Sequence, residues 1–407
     1  MLILRNHYRI MSVIYIGSIY PTDSIDGLKA AGSYIDYAAE TFQTSLLQGL
    51  CEYYPDLKVI TAPNIAHYPK IQQKNFDGYD FELPFSKVKH HFTGFSNISY
   101  KKSFSKMVRM KRAIEKALDA GNDNIIIVYG VHTPFLLALC GIERKRYKSC
   151  LIVPDLPEFM SDNSNKIYRL AKRFDKLLID YSLKCIDSFV LFSPHMNERL
   201  SIKDKEWVHM EGIYNTHNSI VECAEKTKEK VILYTGNLKK RMGIMNLLDA
   251  FSMISNPEYR LWIRGNGACL NDVKLAAERD SRIKYIEHLS KDELLKLQKK
   301  ATILINPVFS SQTFTRYFFP SKTMEYMASG TPTVMSKLAC LPKDYYPHLY
   351  FFDKESIEGI RDKIIEICEK TQSELEEFGK AASEFIIKEK NEMKQSKKIV
   401  DLINRIR

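Results

Sequence analysis

Phe319-Pro-Ser-Lys-Thr-Met-Glu-Tyr-Met-Ala-Ser-Gly-Thr-Pro-Thr-Val334 decides how this chain folds. Pro320 and Ser321 are residue types that open helices. Ala328, Ser329 and Gly330 close one, so the spacing predicts a helix over Lys322–Ser329. Thr331–Met335 then reads as a strand. A helix running straight into a strand is one step of a parallel α/β sheet. Lys322 lies in the first turn, where a cation opposes the macrodipole unless an anion sits nearby. Glu325 lies one turn further on, and a carboxylate can accept both hydroxyl protons of a ribose. Together these residues suit a nucleoside diphosphate; for Glu325 alone a solvated surface carboxylate is the ordinary alternative.

The alternation continues outward. Strands are expected at Val231–Thr235, Tyr259–Arg264, Ile283–Glu287, Thr302–Pro307 and near Leu349–Phe352. Helices are expected at Gly243–Ser255, Ala268–Arg279, Lys291–Lys299 and Ser356–Lys370. Parallel α/β sheets bind ligands at the carboxyl ends of their strands, and two of these ends carry further signals. In Tyr234-Thr-Gly-Asn-Leu-Lys-Lys-Arg-Met-Gly-Ile244 a strand runs through Gly236 and Asn237 to Lys239, Lys240 and Arg241, beside a helix expected from Gly243. Glycine lets backbone approach a ligand, and cations beside a helix N-terminus suit a diphosphate; a solvated basic turn fits equally well. Ile263-Arg-Gly-Asn-Gly267 contains Gly265 in a lone GxG, without the third glycine of the dinucleotide fingerprint. A tight strand-to-helix turn is its plain reading.

The first half holds another α/β series, with strands expected at Val13–Ile16, Lys58–Thr61, Asn124–Tyr129, Cys150–Val153 and Ser188–Ser193. Helices are expected at Tyr34–Leu50, Ser105–Ala120 and Asn165–Lys184. Asn215–Glu229 is polar, has no strand pattern and reads as the linker. Ser373–Arg407 reads as a charged helix or helix pair, with Ile399, Val400, Leu402, Ile403 and Ile406 forming one apolar packing face.

With 407 residues, 45% hydrophobic and 27% charged, the chain suits two globular α/β domains. No apolar run reaches the ~20 residues of a membrane span. The first ten residues lack a signal-peptide core, and Met11 is an alternative start. Eight cysteines stand singly, without a CxxC pair or a Cys/His cluster, which argues against zinc and for reduced thiols in a cytoplasmic protein. A net charge of +11 admits nucleic acid, anionic lipid or phosphorylated small molecules as partners. Ser86–Lys116 gathers Lys87, Lys89, Lys101, Lys102, Lys106, Arg109, Lys111, Arg112 and Lys116 among Phe92, Phe95, Tyr100 and Phe104. That mixture suits an anionic membrane surface and also a plain solvated face. A nucleic-acid role rests on charge alone and is not expected.

FPSKTMEYMASGTPTV and TGNLKKRMGI, in their order here, resemble the retaining GT-B glycosyltransferases of the "group 1" type that build bacterial capsule and lipopolysaccharide. The resemblance implies an α/β fold of two Rossmann-like domains facing a central cleft, with a C-terminal helix that can cross back to the first domain. The expected division is 1–220 for the acceptor domain, 221–385 for the donor domain and 386–407 for the helix. It also implies a hexosyl or other sugar transfer with retention, from a UDP- or GDP-linked donor to a saccharide or lipid-linked acceptor. No metal and no further cofactor is expected, and the place of work is the cytoplasm, peripheral at the inner face of the cell membrane. By that likeness Glu325 binds the ribose, Ser321 and Lys322 face the diphosphate, and Arg241 with Lys240 neutralises it. Gly236, Asn237 and Gly265 complete the donor side. From the first domain, Ile16-Gly-Ser-Ile-Tyr-Pro21 brings Gly17 toward the donor, and Val131-His-Thr-Pro134 puts His132 near sugar and acceptor. For His132 a packed structural histidine is the alternative. Asp155-Leu-Pro157 resembles another cleft-edge turn.

Two positions depart from the family pattern. Met242 stands where a lysine usually precedes the helix glycine. Tyr317 stands where the family often has a glutamate that contacts the transferred sugar. The Tyr317 departure leaves a non-catalytic GT-B partner subunit as an alternative, and a nucleotide-sugar epimerase, which would share the nucleotide site, is another.

Overall fold

The computed structural model describes residues 11–21, 24–120, 123–159, 166–200, 202, 204–217, 229–287 and 289–407. The chain forms two compact units. One comprises the described residues up to Met210 together with Glu392–Arg407, and the other is Glu211–Asn391.

The strands, in chain order, are β1 (Met11–Gly17), β2 (Lys58–Thr61), β3 (Asn75–Phe76), β4 (Tyr79–Phe81), β5 (His90–Phe92), β6 (Phe95–Ser96), β7 (Asp123–Tyr129), β8 (Lys148–Val153), β9 (Ser188–Leu191) and β10 (Glu206–His209) in the first unit. The second unit holds β11 (Lys230–Asn237), β12 (Tyr259–Asn266), β13 (Ile283–Ile286), β14 (Ile303–Asn306), β15 (Thr333–Met335) and β16 (Tyr350–Phe351).

The first unit is built on an eight-stranded sheet of order β10-β9-β8-β7-β1-β2-β5-β4, parallel except for β4. Its central strands are apolar on both faces: Val13–Ile16 and Ile125–Val128 are all buried. That is how a strand covered by helices on both sides reads. The short β3 pairs antiparallel with β6. Helix Ser99–Ala117 buries Lys102, Lys106, Met110 and Ile114, one residue per turn. Two of the lysines expected on a basic surface thus lie inside. Lys106 Nζ donates to the carbonyls of Ala62 (2.9 Å) and Pro63 (2.7 Å). Lys102 Nζ donates to Ile65 O and to Asn97 Oδ1. Phe92 and Phe95 are buried as well, leaving Tyr100 and Phe104 outside.

The second unit has a six-stranded parallel sheet of order β13-β12-β11-β14-β15-β16. The order runs one way from β11 through β12 to β13, and the other way from β14, so β11 and β14 flank the switch point of a doubly wound sheet. The two α/β units give the chain the GT-B architecture.

The division between units falls at Met210/Glu211 rather than at 220/221, and the last helix starts at Glu392 rather than at 386. The physical reason lies in Glu211 and Tyr214. Glu211, 1% exposed, pairs with Lys390 at 2.6 Å, and Tyr345 donates its hydroxyl to the same carboxylate. Lys390 also reaches Asp344 at 2.7 Å, and Tyr214 N donates to Lys390 O. The chain therefore enters and leaves this unit side by side. Helix Glu392–Ile406 belongs to the first unit and packs Ile399, Leu402 and Ile403 inward. It crosses helix Tyr37–Tyr53 at Gly49, where a Cβ would lie 2.3 Å from Glu392 O and from Ser396 Oγ. Of the expected linker, residues 218–228 lie outside the described residues.

Candidate active site

In the second unit the deciding stretch forms the helix Lys322–Ala328, followed after Gly330 by β15. Its inward face is Thr323, Met324, Tyr326 and Met327; Ser321 and Glu325 point to solvent and Lys322 is half-buried. Ser321 is itself in helical conformation, and its hydroxyl does not cap the helix. Thr323 N donates to Pro320 O and Met324 N to Ser321 O, so a tight first turn uses two of the backbone donors that a helix start usually leaves open. The side chains of Ser321, Lys322 and Glu325 make no hydrogen bond or ion pair to another described residue.

Tyr326 fixes this helix to the sheet. Its buried hydroxyl accepts from Thr235 N (2.8 Å), donates to Thr235 O (2.8 Å) and lies 3.0 Å from Thr235 Oγ1. Burial pushes the phenol well above its usual pKa, so it stays a donor. β11 pairs with β14 only at Ile232 and Leu233. Beyond that the two strands separate, and the tyrosine hydroxyl takes up the backbone groups that β14 no longer serves. The helix carrying Glu325 is thus pinned at the switch point, one residue before Gly236.

The glycines have packing roles. Gly236 and Gly265 face each other across β11 and β12. A Cβ on Gly265 would lie 1.8 Å from Gly236 O, and one on Gly236 would lie 2.9 Å from the Tyr234 hydroxyl, which donates to Asn237 O. Close approach of protein to protein by itself favours glycine at these two positions. Asn237 and Lys240 are exposed at this strand end. Gly243 has φ +76°, and its Cβ would meet Pro307 O at 2.1 Å. The loop after β11 therefore packs directly on the loop after β14. In the same contact the Arg241 guanidinium lies 5.4 Å from the Phe314 ring centre, a stacking that helps hold the cation in place. Tyr317 is buried, 5% exposed.

In the first unit Gly17 ends β1 and His132 follows β7, the strands flanking that sheet's own reversal of order. A Cβ on Gly17 would lie 2.4 Å from Gln43 Oε1, which accepts from Ser18 N at 2.9 Å. His132 is half-buried, edge-on to Phe135 at 5.4 Å. Burial and the Lys106 ammonium push its pKa down to about 4, so the ring is neutral at neutral pH. His132 lines a groove of about 1000 Å³ with Phe104, Met107, Pro134, Leu156 and Leu178. Burial and Asp36 raise the Asp155 carboxyl above its usual range, and its neighbours Leu156 and Pro157 form part of the groove wall.

Residues 217–385 match the family model "Glycosyl transferases group 1". The second unit carries a glycosyltransferase domain. The match spans less than half of the chain. Solved structures similar to nearly the whole chain share the fold. Sucrose-phosphate synthase from Thermosynechococcus elongatus is 13% identical with a TM-score of 0.64, covering 97% of this chain and 99% of that one. HepE from Anabaena, in complex with UDP, is 10% identical with a TM-score of 0.63, covering 97% and 100%. The lipopolysaccharide outer core galactosyltransferase WaaB is 15% identical with a TM-score of 0.59, covering 97% and 99%. No curated protein matches the sequence significantly.

The sequence points to Glu325, Ser321, Lys322 and Arg241, and the second unit gathers them at the carboxyl end of its sheet. Tyr326, Thr235 and Phe314, which hold them, escape a sequence reading. Tyr326 stands inside the deciding stretch, but a buried tyrosine reads there as core.

Proposed function

We propose that the chain is a retaining glycosyltransferase that uses a UDP- or GDP-linked sugar as donor. Its acceptor is a saccharide or lipid-linked saccharide of a surface polysaccharide, and it works at the inner, anionic face of the cell membrane. One observation carries the reading: the Tyr326–Thr235 contact places the solvent-facing Glu325 and Ser321 at the switch point of the second sheet. There Glu325 accepts from the ribose hydroxyls, while Lys322, Lys240 and Arg241 offset the charge of the diphosphate as it leaves. The site needs no base, because the departing diphosphate takes the acceptor's proton on the same face. Positioning and charge stabilisation supply the catalysis. His132, held neutral, presents a hydrogen-bonding ring to the sugar or acceptor in the groove rather than an added cation. The UDP held by HepE and the galactosyltransferase activity in WaaB's name agree with this reading.

The test is incubation with a panel of nucleotide sugars, with and without saccharide acceptors, following released UDP or GDP and the anomeric configuration of the product. Retained anomeric configuration with acceptor-dependent nucleotide release is expected. Nucleotide binding without turnover would favour a non-catalytic subunit, for which Tyr317 in place of a carboxylate is the supporting observation. Interconversion of the sugar on its nucleotide would show an epimerase.

A further inference from the structure

Helix Lys166–Leu183 of the first unit is apolar on two sides. Ile179 and Leu183 are buried against the unit. Leu170, Phe174, Leu177 and Tyr181 recur at three- and four-residue steps and so share the opposite side; they are 68%, 64%, 65% and 59% exposed. Single exposed apolar residues are ordinary, but a continuous row marks a surface that something covers. Arg173, Lys176 and Lys184 are exposed along the same helix and just beyond it. Asp175 turns inward, accepting from the Thr133 hydroxyl at 2.5 Å, which leaves Asp180 as the exposed acid of this stretch. On helix Ser99–Ala117, which forms the other wall of the groove, Tyr100 and Phe104 are also exposed, with Lys101 between them.

We propose that helix Lys166–Leu183 is the element that meets the membrane. It lies in the headgroup layer of an anionic bilayer, with Leu170, Phe174, Leu177 and Tyr181 toward the acyl chains and Arg173, Lys176 and Lys184 among the lipid phosphates. A surface helix with Leu and aromatic residues on one side and Lys/Arg beside them has the composition of interfacial helices. Protein interfaces, by contrast, deplete lysine around their apolar anchors. The inference rests on the membrane-peripheral reading above and relocates it. The stretch Ser86–Lys116 gives Lys102, Lys106, Phe92 and Phe95 to the interior and keeps Tyr100 and Phe104 outside, whereas the later helix keeps a row of four apolar residues outside. The groove opens between this helix and Ser99–Ala117, so an acceptor anchored in the same bilayer reaches it without leaving the lipid.

The experiment compares the full chain with the triple variant Leu170→Gln, Phe174→Gln, Leu177→Gln. All three side chains are outside the groove wall and mostly in water, so the variant is expected to fold. Flotation with vesicles of phosphatidylglycerol and phosphatidylcholine should bring the native chain up with the lipid, less so at high salt and less with phosphatidylcholine alone. The variant should lose about tenfold or more of that partitioning. Equal flotation of both chains would overturn the proposal, and so would failure of the native chain to float. A native dimer that the triple variant dissociates, with neither binding lipid, would show that a second copy covers the row and would also overturn it. Nucleotide release from a soluble sugar donor, measured in parallel without vesicles, should be unchanged by the variant. If no nucleotide sugar is turned over while lipid binding behaves as expected, the catalytic reading fails and the membrane inference stands.

Discussion

Replacing Tyr326 by Phe removes one oxygen atom from the interior of the second unit and should cost more than an ordinary hydrogen bond. The hydroxyl is partner to three groups of one residue: Thr235 N and O at 2.8 Å and Oγ1 at 3.0 Å. Thr235 is 1% exposed, so water does not replace the lost partner. A net intramolecular hydrogen bond contributes about 1 kcal/mol, whereas a buried donor or acceptor left unsatisfied costs about 1–3 kcal/mol. The Thr235 N–H loses its acceptor outright, and the carbonyl, with its second lone pair, loses less. The sum is about 2–4 kcal/mol. Urea unfolding of native chain and variant, followed by a probe that reports the second unit, measures the difference. Nucleotide titration calorimetry should show weaker UDP or GDP binding in parallel, because Glu325 rides on the same turn. A loss of about 1 kcal/mol or less, with nucleotide affinity unchanged, would refute the view that this hydroxyl closes the gap between β11 and β14.

Arg241→Ala and Glu325→Ala should each lower turnover by roughly 10²–10³, about 3 kcal/mol of barrier, while leaving the unfolding transition in place; near-normal sugar transfer by both would remove them from the site. Gly243→Ala should destabilise the second unit by at least the ~1–2 kcal/mol of a left-handed backbone, more because its methyl would meet Pro307 O at 2.1 Å; thermal unfolding reads it. Glu40 has its pKa raised to about 7, chiefly by burial, against an unfolded value of 4.5. Its folded form therefore holds the proton more tightly. The contribution is fully present below the unfolded value and lost as pH rises through the folded one, so Glu40→Gln should gain stability relative to the native chain above about pH 7 and not in acid. His90 is displaced the other way, to about 4 by burial, with its Nδ1 accepting from Val59 N. Its contribution is present above the ordinary histidine pKa and lost as pH falls toward 4, which a pH series of unfolding midpoints in the Glu40→Gln background would isolate.

The fold was legible where a long apolar run or a helix signature stood alone. Lys58–Thr61 is a strand over those four residues, and Lys322 opens its helix as expected. The elements that escaped are short. β3, β4, β5 and β6 have two or three residues each, too few for alternation to register. The basic stretch misled for a different reason. Lys102 and Lys106 read as surface because lysine is seldom fully buried, yet carbonyls after β2 receive both. Gly236 and Gly265 were legible as special positions, but the close packing of β11 on β12 at those positions was not. A glycine that makes room for a neighbouring strand and one that makes room for a phosphate look the same in one sequence.

The paired passages at Glu211 and Lys390 have a consequence for dissecting the molecule. The second unit is an interruption in the first, opened and closed at one clasp. Glu211–Asn391 is therefore a contiguous piece that carries its own latch. A cut after Met210 yields no equivalent piece, since it strips off the helix that covers Gly49 and bares Leu402 and Ile403's partners to water. To make the first unit alone, the tail has to be spliced back across the gap rather than trimmed away.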